Sequence, residues 1–84
     1  MSRQGLLNEA LTNKKVWSMR PPDVTRAAVN ANVAKILSAD QLWLDLNAHN
    51  IKDSVGLNDL QRTDPVAFEH AITNFWMTIW MIIQ

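Results

Sequence analysis

The stretch Pro65-Val66-Ala67-Phe68-Glu69-His70-Ala71-Ile72-Thr73-Asn74-Phe75-Trp76-Met77-Thr78-Ile79-Trp80-Met81-Ile82-Ile83-Gln84 decides the fold. Phe68, Ile72, Phe75, Ile79 and Ile82 recur at alternating spacings of four and three, the seam of a heptad pattern, and predict one long helix. Asp64 suits its N-cap and Pro65 its first turn, where a missing N–H costs nothing. Glu69, His70, Thr73 and Asn74 keep one face polar through the first half. From Phe75 to Ile83 only Thr78 is polar, so the helix becomes apolar nearly all round. A helix of that kind is not a surface helix. Nine residues at a rise of about 1.5 Å span about 14 Å, less than half of a hydrocarbon core about 30 Å thick. The end of this helix is therefore expected in the chain's own core, against other copies, or docked on a foreign partner or membrane surface. Phe68, Ile72, Phe75, Trp76, Ile79, Trp80 and Ile83 are the candidate interface residues.

Working back toward the N-terminus, the pattern stays helical. Leu6, Leu7, Ala10 and Leu11 predict a first helix from Arg3 to the region of Lys15, with Trp17 extending its stripe. Arg20 and Pro21 each precede a proline and are biased away from the α region, which stops it. Pro21-Pro22-Asp23 reads as the start of a second helix that carries Val24, Ala27, Ala28, Ala31, Val33, Ile36 and Leu37. Ser38-Ala39-Asp40-Gln41 has the form of a capping box for a third helix through Leu42, Trp43 and Leu46 to His49. The alternation Leu42, Leu44, Leu46 also fits a short strand, but it lacks β-branched residues. Asn50 to Gly56 reads as a connector with its turn at Gly56, and Leu57 to Arg62 as one helical turn or a short fourth helix. The expectation is an all-α fold, a compact bundle of three to five short helices with a long aromatic C-terminal helix. Residues 1–84 make a single domain, without repeat or linker.

Composition narrows the devices that can hold so small a chain together. Its 84 residues include no cysteine, which removes disulfides and thiolate metal sites and fits a reducing, cytoplasmic setting. Small domains without such staples rely on close helix packing or oligomerisation. Four tryptophans are a heavy load, and tryptophan belongs in cores or at interface hot spots. No apolar stretch reads as a signal peptide, and no unbroken apolar run reaches transmembrane length. Net charge is zero but unevenly spread, +4 over residues 1–35 and −4 over residues 36–84. Each half could steer a partner of opposite sign, or the halves could neutralise one another.

The motif search excludes more than it finds. Lys14, Lys15, Trp17, Arg20 and Arg26 form a basic patch, with cations for phosphates and an indole for stacking. The second and third helices could mimic a helix-turn-helix, but Asp40 to Leu46 carries two acids and no base-reading cation. Asp45 and His49 stand four apart and read as a helix-stabilising pair; Glu69 and His70 are adjacent and diverge. Asp53 to Asp59 fails as a calcium loop because Val55 and Leu57 occupy ligand positions. Asp53-Ser54-Val55, with the chain length, resembles acyl carrier proteins, whose serine in such a triplet bears phosphopantetheine. The likeness covers three residues; Gly56 and Pro65 leave little room for the long helix that should follow, and no function is carried over.

No catalytic, cofactor or metal constellation is expected, so the chain is read as non-enzymatic. By elimination the sequence points to a protein-interaction module, a homo-oligomer or a small subunit or inhibitor of a larger protein. Binding of nucleic acid or another anionic ligand by the basic half is the alternative.

Overall fold

The computed structural model describes residues 3–84, and the order of elements is α1 (Arg3–Thr12), α2 (Lys14–Ser18), α3 (Arg26–Ala31), α4 (Val33–Leu37), α5 (Asp40–Ala48), α6 (Ser54–Thr63) and α7 (Pro65–Ile83). The expected all-α class holds, with more and shorter helices than the periodicity implied. Two asparagines account for much of the difference. Asn13 adopts an extended conformation and its side-chain oxygen accepts from the N–H groups of Lys15 and Val16, ending α1 and capping α2 in one residue. Asn32 sends its side-chain amide back to the Ala28 carbonyl at 2.8 Å, and the second predicted helix breaks there into α3 and α4. That helix also starts later than Pro21-Pro22 suggested. Val24 closes a turn onto the Pro21 carbonyl, and Thr25 is the residue that caps α3.

The predicted capping box does not form. The Ser38 hydroxyl turns backward to the carbonyls of Ala34 and Lys35 at the end of α4, Ala39 stands at the N-cap of α5, and Gln41 donates to Asp45 instead. The helix it was meant to start forms nonetheless. Leu42, Trp43 and Leu46 are buried while Leu44 is 61 % exposed, which separates helix from strand, because alternation would have set all three leucines on one side.

Gly56 is not a turn residue either. It lies in the first turn of α6, capped by Asp53, and a Cβ there would meet the Asn50 carbonyl oxygen at 2.7 Å. The left-handed residue of the connector is Asn50, with φ 63°. The glycine is needed because α6 starts directly against the end of the preceding loop.

α7 organises the rest. Asp64 accepts from the Ala67 N–H at 3.1 Å and Pro65 opens the helix, as its sequence predicted. α4, α5 and α6 pack on it, while α1 packs on α2, α4 and α6. Its side chains Phe68, Ala71, Ile72, Phe75, Trp76 and Ile79 join Leu6, Leu7, Val16, Val24, Ile36, Leu42, Trp43, Ile51 and Leu57 in one continuous core. The Cα radius of gyration, 11.6 Å, is that of a closely packed chain of this length, about 12 Å. Among the described residues no polar or charged side chain is buried, so the interior is purely apolar.

Candidate functional site

Five of the seven candidate interface residues are core. Phe68, Ile72, Phe75, Trp76 and Ile79 keep at most 1 % of their surface. Their heptad seam is filled by this chain's own helices, which leaves it unavailable to a partner while the chain is folded. The Trp76 ring is fixed on several sides. Its indole N–H donates to the Val16 carbonyl at 2.8 Å, and the rings of Phe75 and Trp17 meet it edge to face at centroid distances of 5.0 and 5.9 Å. Trp80 and Ile83 are different, since both stay half-buried at the margin of the core, with Ile82.

The surface of α7 supplies two residues that the sequence reading passed over. Met77 is 58 % exposed and Met81 75 %, and their spacing of four sets them on one face with Trp80 between. Leu44, Val55 and Val66 are comparably exposed but lie on α5, on α6 and at the opposite end of α7, scattered as single apolar residues commonly are. Among the described residues, only the end of α7 gathers large exposed hydrophobic side chains in neighbouring positions. A heptad seam identifies what faces inward; the signal for the outward pair was the loss of the polar face after Asn74. By length and composition α7 could cross a membrane, but its most apolar face is the one packed inside.

The basic patch is divided by the fold. Lys15 pairs with Glu69 at 3.1 Å, and Arg3 with Asp40 at 2.9 Å, so two ion pairs join the basic half to the acidic half. Being exposed, each is worth at most about 1 kcal/mol. Lys14, Arg20 and Arg26 form no ion pair among the described residues. Arg20 and Arg26 are instead drawn to Trp17, their guanidinium carbons 4.4 and 4.2 Å from its ring centroid. Arg20 is further held by donation to the Trp17 carbonyl at 3.1 Å.

The acid–base candidates do not converge. His49 Nδ1 lies 3.0 Å from the backbone carbonyl of Asp45, whose carboxylate is occupied by Gln41. His70 is exposed on α7. Among the described residues no three His, Cys, Asp or Glu side chains gather as a metal site would require. Ser54 opens α6, a helix of 10 residues. Comparison of the chain with protein-family models, curated proteins and solved structures finds no match.

Proposed function

We propose that the chain is a non-enzymatic protein-interaction module, a homo-oligomer or a small subunit docking on a larger protein, and that it docks through the C-terminal end of α7. The observation that supports this is the contiguous apolar surface of Met77, Trp80 and Met81, bordered by Ile82 and Ile83, on a helix whose other face is already filled. Exposed apolar residues in adjoining positions mark contact surfaces more often than isolated ones do. Tryptophan is a frequent anchor of such surfaces, and methionine fits itself to varied partners.

Light scattering across a wide concentration range tests self-association, and capture from host extract by wild type and by a Met77→Glu/Met81→Glu double variant tests a foreign partner. The expected result is a mass above the monomer, or a captured protein, that the double variant loses while its circular dichroism is unchanged. A chain that stays monomeric and captures nothing sensitive to the double substitution would refute the proposal.

A further inference from the structure

Two like charges on one ring, neither paired with a carboxylate among the described residues, need an explanation. Arg20 and Arg26 lie over Trp17 at 4.4 and 4.2 Å, and neither forms an ion pair among the described residues. Asp23, midway between them in sequence, is exposed and pairs with neither. The platform beneath them is firm. Trp17 rests edge to face on the buried ring of Trp76, which is itself tied to the Val16 carbonyl at 2.8 Å, and Arg20 is held to the Trp17 carbonyl. Ordering the guanidiniums before a ligand arrives lowers the entropy cost of binding.

We infer that Trp17, Arg20 and Arg26 form a recognition site for carboxylates on an acidic segment of a partner protein. It rests on the interaction-module reading only in that the partner is a protein. Guanidinium groups present forked donors that match carboxylate oxygens, and each is strongest where no internal acid competes. Nucleic acid fits less well. A base stacking on Trp17 would have to displace the cations already over the ring, and Lys15 is engaged by Glu69. Lys14 alone adds a further unpaired cation in this segment, a small footprint for a phosphate backbone. Trp76 also connects the site to the end of α7, since Trp80 follows one turn later.

The test follows the indole N–H resonances of the isotope-labelled full chain at low ionic strength. A hexaglutamate peptide is titrated in, with a hexathymidylate oligonucleotide and vesicles of phosphatidylserine and phosphatidylcholine in parallel. The Trp17 resonance should move saturably with the peptide, and the affinity should fall as salt is added. An Arg20→Gln/Arg26→Gln variant should bind the peptide about fivefold more weakly or worse, while Lys35→Gln, on α4, should lose much less. Arg26→Gln alone guards against a folding defect, because Arg26 is exposed, and an unmoved Trp76 resonance certifies the core. No peptide-dependent shift, an affinity untouched by Arg26→Gln, or tighter binding of the oligonucleotide or the vesicles would overturn the inference. A Met77→Ser/Met81→Ser chain, whose charge is unchanged, should bind the peptide normally, so the two sites can fail separately.

Discussion

Trp76 and Trp80 sit one turn apart on the same helix and meet opposite conditions. Trp76 is 1 % exposed, bonded through its N–H and touched by two other aromatic rings; Trp80 lies half-buried beside Met77 and Met81. The sequence around both is almost uniformly apolar, so composition alone does not separate them. The difference comes from what surrounds each turn. α2 reaches Trp76 through Val16 and Trp17, and α4, α5 and α6 cover other parts of α7. Where those short helices run out, apolar side chains are left facing solvent. A small chain can thus have one helix supply both its core and an exposed apolar surface, divided along its length and around its circumference.

Substitutions at the two ends of this contrast should be felt very differently. Trp76→Ala removes the largest fully buried side chain and leaves a cavity among Phe75, Trp17 and Val16. A loss of about 3–5 kcal/mol is expected in denaturant titration, enough to unfold much of a marginal domain. Trp80→Glu should cost less, about 1–2 kcal/mol, and leave a folded chain by circular dichroism. If Trp80→Glu unfolds the chain as Trp76→Ala does, the two turns are energetically alike and the contrast breaks. Met81→Glu stands at the other limit. Its effect on stability should stay within about 0.5 kcal/mol, with any change confined to association, which sharpens the boundary between core and surface.

Much of this was legible in the sequence because it depends on local chemistry. Asp64 and Pro65 begin α7 through contacts within the first turn, and the spacing of Phe68, Ile72, Phe75 and Ile79 names the buried face correctly. What failed turned on competing local bonds as much as on distant partners. Asn13 breaks the first helix while its amide donates to Gln61 at 2.8 Å, a residue 48 positions away. Gly56 reads as a turn in isolation, and only the approach of the Asn50 carbonyl shows why a side chain is excluded. Ser38-Ala39-Asp40-Gln41 offers both a start and a stop, and Ser38 serves the helix before it. The exposed apolar surface at the end of α7 was legible only in outline. A run apolar on all sides announces that something covers it, but which members stay outside is set by the number of helices that reach it.

The bond from Trp76 to the Val16 carbonyl joins positions 60 residues apart, and α7 follows in sequence the helices α2, α4, α5 and α6 that meet it. On the ribosome, α1 to α6 therefore emerge before the element that covers their apolar faces. Until Trp76 arrives, Val16, Ile36 and Leu42 have no completed interior to enter. Through that interval the nascent chain exposes apolar surface of the kind that promotes aggregation. Burial of those faces waits on the translation of α7 rather than of any helix before it.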